Sequence, residues 1–329
     1  MALPTLDHTW RFKVNQALAT TGTALGDHRQ LLMAIKTSLI TAPGWTDSTG
    51  AAATLSTPWT VVASSNGTTA SAADNWSSVT DLNWSTGAHS WIVLRQTGIN
   101  GQNVELCIDL NQTSPYFLNL TVSMGAGFNV SSPSTTARPT ATDEVAYLTG
   151  SNYWCNAGSN AFSSVLNVEV SDDGQCNRVW VFISGTVRCF WQFDRPKNVV
   201  TGWSNPVAVV LISATEPLYT NLNDAANPRI KALGLVGQCY YACEFYVDGA
   251  LGQKQTVVHA LTSEWPISRM GLACITPGIY GRHGDLADVW WGATTPASGD
   301  AYPATGTLRQ FVQAGDLVLP WNQTSPVTT

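Results

Sequence analysis

The sequence predicts a mainly β protein: antiparallel, sandwich-like sheets, one amphipathic helix near the N-terminus, and long loops and extended arms. Three observations predict it. Short runs rich in Val, Ile, Phe, Tyr and Trp recur from about residue 88 onward, several alternating with polar residues at period two. Turn-forming pairs stand between them: Asn100-Gly101, Ser184-Gly185 and Asp248-Gly249. Only one stretch, between Asp27 and Pro43, carries apolar residues at helical spacing.

Taken in order, Trp10, Phe12 and Val14 alternate with Thr9, Arg11 and Lys13, as in a half-buried strand. Asp27 suits an N-cap, with Gln30 three residues on as in a capping box. Leu31, Leu32, Ile35 and Leu39 then form one apolar stripe, and Pro43-Gly44 ends it. Such a helix packs on a sheet of its own chain or docks on another subunit. Residues 46–58 and 64–87 are rich in Ser, Thr, Ala, Asn and Gly and read as long loops, split by a short strand at 59–63. Loops of this length in a compact domain usually serve a purpose, and reaching a neighbouring subunit is one.

Residues 90–96 and 103–110 flank Asn100-Gly101 as a hairpin, and 117–124 supplies a third strand. The Ser/Thr/Pro-rich residues 131–142 read as a loop or linker. A second set of strands begins near Val165. There, 178–183 turns at Ser184-Gly185 into 186–193, and the hairpin is apolar on both sides, as in a strand pair pressed between layers. Residues 205–213, 239–247, 255–261 and 288–292 continue the pattern. The tail after Pro296 reads as an extended arm. The organisation expected is a helix-plus-sheet region at 1–130, the loop or linker at 131–142, a sandwich-like region at 143–295 and a C-terminal arm at 296–329, with a single domain overall as the alternative. No fixed-period repeat is visible.

Charged residues make up 12% of the chain, about half the usual share. There are 14 Trp against five Lys and six Glu, so the deficit is not that of a disordered chain. Net charge is −6, and no cluster of Lys or Arg exists to grip a phosphate backbone, which excludes nucleic acid as the main partner. Apolar runs such as residues 206–213 fall far short of the roughly 20 residues of a spanning helix, so membrane insertion is not expected. The first residues lack the basic and apolar regions of a secretory signal. Cys107, Cys155, Cys176, Cys189, Cys239, Cys243 and Cys274 are odd in number and irregular in spacing, as buried free thiols are. A hydroxyl-rich surface combined with reduced thiols fits a protein assembled in a cytoplasm and released by lysis.

Catalytic signatures are sparse. The chain has no GxSxG elbow, HExxH or P-loop. Gly125-Ala126-Gly127 reads as a turn. Cys239 and Cys243, four apart on a strand, would stand about 13 Å from one another, too far to share a zinc ion at bonds of about 2.3 Å. His283 and Asp285 read as a turn cap, with a metal or catalytic role as the alternative. Asp172-Asp173-Gly174 reads as a tight turn, and the scattered glutamates nominate no catalytic pair. No catalytic residue, cofactor or metal is therefore expected, and the chain reads as a non-enzyme. Trp76, Trp84, Trp154 and Trp203 lie in or beside polar loops and are the candidate interface anchors, with ordinary packing and sugar stacking as alternatives. Trp91, Trp180, Trp191, Trp290 and Trp291 sit in strand-like runs and read as core.

Three quoted segments carry a resemblance: Leu31-Leu32-Met33-Ala34-Ile35-Lys36, then Trp59-Thr60-Val61-Val62-Ala63-Ser64-Ser65-Asn66-Gly67, then Ala88-His89-Ser90-Trp91-Ile92-Val93-Leu94-Arg95-Gln96. Together with Glu105-Leu106-Cys107-Ile108-Asp109, they resemble virion structural proteins of tailed bacteriophages. The resemblance covers roughly the first third of the chain, more loosely the hairpin near Trp180, and hardly the last third. The Ser/Thr-rich stretch between Trp45 and Trp59 departs from it. It implies a particle protein, often tail-associated, and carries over no catalytic residue. The function expected is a structural component of the particle that forms a symmetric homo-oligomer in the tail, baseplate or neck region and contacts other virion proteins. Head decoration is the nearest alternative. A glycan-binding receptor-recognition module, with host surface glycan as partner, is the alternative from another class.

Overall fold

The computed structural model describes residues 59–78, 87–99, 102–114, 117–125, 127–142 and 144–149, and elsewhere the strands and helical residues named below. In chain order the strands are β1 (Arg11–Lys13), β2 (Gln16–Leu18), β3 (Trp45–Thr46), β4 (Thr60–Asn66), β5 (Ala70–Ser71), β6 (His89–Ile99) and β7 (Gln102–Ser114). There follow β8 (Phe117–Gly125), β9 (Val145–Thr149), β10 (Leu166–Asp172), β11 (Asn177–Ile183), β12 (Thr186–Asp194) and β13 (Val209–Ala214). The last are β14 (Ile230–Ala232), β15 (Cys239–Cys243), β16 (Ser268–Cys274), β17 (Gly281–Trp291), β18 (Ala301–Tyr302), β19 (Phe311–Ala314) and β20 (Leu317–Pro320). Gln30, Leu32, Met33, Ile35, Lys36, Thr37, Leu39 and Ile40 are helical, and Leu32, Ile35, Lys36 and Leu39 among them are buried. The protein is mainly β.

The strands form three antiparallel sheets. One has the order β14-β13-β12-β11-β10-β1-β3, with β2 also paired to β10. The second runs β15-β16-β17-β20-β19-β18, and the third runs β5-β4-β6-β7-β8-β9. The third is the best described and carries the features argued below.

Its two faces differ in chemistry. Residues directly opposite one another across antiparallel strands lie on the same face. Ile92 pairs with Ile108 and Leu94 with Leu106, and with Val104, Leu110 and Met124 these buried residues make one face largely apolar, with Ser64, Ser90 and Gln96 buried beside them. On the other face Trp91 pairs with Asp109, Val93 with Cys107 and Arg95 with Glu105. Ser65 and Ala63 of β4, and Thr121 and Ser123 of β8, extend this mixed face. Residues 104–110 of β7 are buried without interruption, so this strand is covered on both sides. Each Leu, Ile or Val removed from water in this way contributes about 1.5–3 kcal/mol, so this face stabilises the sheet.

Residues 127–142, which contain no strand, cover part of the mixed face. Phe128 joins Ala63, Trp91, Val93 and Cys107 in one buried cluster, with Val130 and Ala141 packed against it. These residues connect β8 to β9, and β8 and β9 are paired neighbours. Residues 131–142 thus lie in the connection between two paired strands of one sheet. β1 and β2, which precede this segment, pair with β10, which follows it.

Three expectations are corrected. The loop expected at 64–87 begins with more strand: β4 continues through Ser64, Ser65 and Asn66 and turns into β5. Gly67 takes φ of 84°, open to glycine at little cost, and Asn66 Oδ1 accepts the N–H groups of Thr68 and Thr69. The arm expected at 296–329 contributes β18, β19 and β20, and β20 pairs with β17. Runs of two to four residues between Pro and Gly are too short to show period-two alternation. Finally, His283 and Asp285 lie inside strand β17, where a shift of register against β16 falls between Arg282 and Gly284, and not in a turn.

Candidate functional site

Side-chain chemistry concentrates where residues 127–142 and Glu144 meet the mixed face. Glu105, 1% exposed, is held between two donors. Arg95 Nε donates to its Oε1 at 2.7 Å, and the backbone N–H of Phe128 donates to its Oε2 at 2.6 Å. The first bond joins neighbouring strands, and the second ties the start of the loop to the sheet. Further along, Trp91 donates its indole N–H to the Ser134 carbonyl at 2.7 Å, and the His89 backbone N–H donates to the Thr135 carbonyl at 2.8 Å. The loop is closed on itself by Asn129 N–H to Thr140 C=O and by Arg138, whose two terminal nitrogens reach the two oxygens of Glu144 at 3.0 and 3.1 Å. This two-pronged geometry is the strong form of the Arg–carboxylate bond.

Asp109 sits two positions along from Cys107 on β7, on the same face. Its oxygens lie 2.9 and 3.0 Å from His89 Nδ1, and Asn111 Nδ2 lies 3.3 Å from His89 Nε2. The carboxylate can only accept and the amide N–H can only donate, so the proton of the neutral ring belongs on Nδ1. Burial raises the Asp109 carboxyl above its usual range, and the His89 hydrogen bond opposes that shift without cancelling it. Burial also pushes the Cys107 thiol well up, with the Asp109 charge adding to it. Arg138 is pulled down by burial, but the Glu144 bond and the surrounding negative groups outweigh this and hold its pKa above the usual value.

This arrangement ties the loop to the sheet. His89 is opposite Asn111, whereas Cys107 is opposite Val93. Four strand positions separate 89 from 93, about 13 Å, so thiol and imidazole do not form a dyad. His89 Nε2 is already engaged by Asn111. Among the described residues no three of His, Cys, Asp and Glu gather to hold a metal ion, and no helix is long and apolar enough to cross a membrane.

Trp76, expected to anchor an interface, is instead fully buried in its own chain and donates its indole N–H to the Ser65 carbonyl at 2.7 Å. The polar residues around it build that burial. Ser64 Oγ donates to the Ala73 carbonyl and accepts from the Asn75 N–H, and Asn75 Nδ2 donates to the Ser64 carbonyl at 2.9 Å. Asp74 Oδ1 accepts the Trp76 N–H, and Lys36 reaches both Asp74 and the Trp76 carbonyl, which links the helical residues to this turn. Trp84, Trp154 and Trp203 lie outside the described residues. Trp91 and Trp290 are buried as expected of strand residues, and Cys239 and Cys243 stand at the two ends of β15.

The sequence reading did not single out Glu105, Asp109, Arg95 or Arg138. The signal available was two acids four positions apart in an otherwise apolar run of strand, since an acid on a buried strand needs a partner. The chain matches no protein-family model and no curated protein.

Proposed function

We propose that the chain is a structural component of a bacteriophage particle that assembles as a symmetric homo-oligomer in the tail, baseplate or neck region, and is not a catalyst. One observation carries the reading. In the best-described sheet and its connections, charged side chains are turned toward each other in pairs, Lys36 with Asp74, Arg95 with Glu105 and Arg138 with Glu144, and the Asp109 carboxyl is hydrogen-bonded to His89. The exposed residues around them are largely Ser, Thr, Asn, Ala and Gly. A surface of this kind carries little net charge to repel identical neighbours, and its ordered loops have little freedom left to lose on contact. The resemblance of residues 31–36, 59–67 and 88–96 to tailed-phage virion proteins supports the same role, and residence in the virion follows from it.

Within this reading the sheets pack in a sandwich-like manner, which the approach of β13 to β8 and β9 supports. The helical residues between 30 and 40 form an amphipathic helix turned inward on Leu32, Ile35 and Leu39. The test is light scattering on the purified chain over a concentration series. A discrete oligomer, or growth into rings or tubes, is expected. A monomer at every concentration would overturn self-assembly and favour a glycan-binding role, to be checked by binding to host polysaccharide.

A further inference from the structure

We infer that a single buried water molecule bridges Ser123 of β8 to Arg138, and so ties the covering loop to a further strand of the sheet. The tethers described above run from β6 and β7 alone. Ser123 is fully buried, and among the described residues its Oγ is the one buried side-chain nitrogen or oxygen with no hydrogen-bond partner in the protein. A hydroxyl withdrawn from solvent needs a partner, and an ordered water supplies it where the protein does not. Register sets Ser123 opposite Cys107 of β7 and Ala146 of β9. The first residue type offers a weak sulfur acceptor, and the second no polar side-chain atom.

The surroundings suit a water and not an ion. Side chains directly opposed across antiparallel strands have Cβ atoms about 5 Å apart, so the Ser123 hydroxyl stands beside the Cys107 sulfur. The Arg138 guanidinium reaches that sulfur from the loop, within hydrogen-bonding range, while its terminal nitrogens hold the Pro139 carbonyl and Glu144. Thr121, also buried, stands opposite Asp109 on the same face. Arg138 repels a cation here, and Glu144 repels an anion. A neutral molecule that both donates and accepts meets the hydroxyl and the guanidinium together, and Phe128, packed over Cys107, shuts it off from this side. Ser123 is thus joined to the loop without a direct bond.

The test uses the full chain in two measurements. A high-resolution crystal structure of the wild type is expected to show one water within hydrogen-bond distance of both Ser123 Oγ and an Arg138 nitrogen. Density without that water, or with Ser123 Oγ turned onto a protein acceptor, would overturn the bridge. In solution, Ser123→Ala removes the hydroxyl and little else, with near-ultraviolet circular dichroism reporting the fold. Alkylation of native Cys107, which lies beneath the same loop, then reads how often the loop opens. The rate is expected to rise about five- to tenfold in the variant, the effect of one lost hydrogen-bonded link. A folded variant that labels at the wild-type rate or more slowly would overturn the tether, since alanine would then have removed an unpaired hydroxyl and no bond. If Ser123→Ala does not fold, the wild-type crystal structure decides alone. Neither measurement depends on self-assembly.

Discussion

Glu105 accepts the backbone N–H of Phe128 at 2.6 Å across 23 positions of sequence, with 1% of the residue exposed. A carboxylate in the middle of a strand thereby fixes the first turn of the loop that covers its own sheet. Removing it leaves the Phe128 N–H without its acceptor and Arg95 without its partner. Glu105→Ala is expected to cost about 3 kcal/mol, read as a lower urea midpoint with little change in slope. Glu105→Gln should cost less, because its carbonyl oxygen can still accept from Phe128. Equal midpoints for Glu105→Ala and the wild type would mean that the loop is held by other contacts.

Trp91 provides the second fixing point. Trp91→Phe keeps an aromatic ring in the cluster with Val93, Cys107 and Phe128 but loses the bond to the Ser134 carbonyl. The expected loss is about 2 kcal/mol, from the missing bond and the unfilled volume together. Hydrogen exchange gives the sharper readout. The His89 amide, which donates to Thr135, should exchange faster in the variant, while amides in the centre of the β6–β7 ladder change little. Uniform acceleration throughout the sheet would instead indicate global destabilisation.

Much of this sheet was legible in the sequence. The hairpin around Asn100-Gly101 and the strand after it announce themselves through apolar runs and a turn pair. The pairing of Arg95 with Glu105 does not. A regular two-residue turn with Ile99 opposite Gln102 would set Gln96 against Glu105. The ladder instead sets Thr97 opposite Asn103, which leaves Gly98 as an extra residue. A one-residue shift of this kind moves every later partner, and with it which side chains share a face. The polar strand end Ser64-Ser65 was lost for another reason. Hydroxyls read as loop by composition, yet here they serve as donors and acceptors to the turn at Asn75, and Trp76 fills the space behind them.

Asp109 gives a pH dependence whose sign can be stated. Burial holds its folded pKa above the value of 3.8 expected of the unfolded chain. The folded state therefore binds the proton more tightly than the unfolded state does. Its contribution is most favourable below 3.8 and is lost as pH rises through the higher folded value. Asp109→Asn keeps an oxygen to accept from His89 Nδ1 and removes the titration. The variant should be no less stable than the wild type at neutral pH, and the gap should close or reverse as the pH falls through the folded pKa toward 3.8. Denaturant titrations of both proteins from pH 3 to pH 7 check this. A wild type that gains stability over the variant as pH rises would show that the hydrogen bond with His89 outweighs the burial.

Asn75 joins three parts of the turn after β4, since its side chain touches Ser64, Thr69 and Ser71 and its N–H reaches Ser64 Oγ. Asn75→Ala removes only the side-chain bonds, at an expected cost of about 1–2 kcal/mol. Trp76 should report it, because its indole bond to Ser65 depends on the placement of the same turn. A redder and more quenchable tryptophan emission in the folded variant is expected, with Trp76→Phe as the background that removes the change.

Cys107 is shielded in two independent ways, and they can be separated. It is fully buried beneath Phe128, and burial together with the Asp109 charge raises its thiol well above the usual value. In the native protein at pH 8, peptide mapping after iodoacetamide treatment should find Cys107 unmodified, and after unfolding in guanidinium it should be fully modified. Native labelling, when it occurs, requires the loop to open first. Its rate should therefore follow loop stability, rising in Glu105→Ala and Trp91→Phe by about tenfold for each 1.4 kcal/mol that loop closure loses. If ionisation in the closed state were limiting instead, the rate would climb tenfold for each pH unit and be indifferent to those substitutions, because only the thiolate reacts. Fast labelling at pH 8 in the wild type would mean that residues 127–142 do not keep this face of the sheet closed.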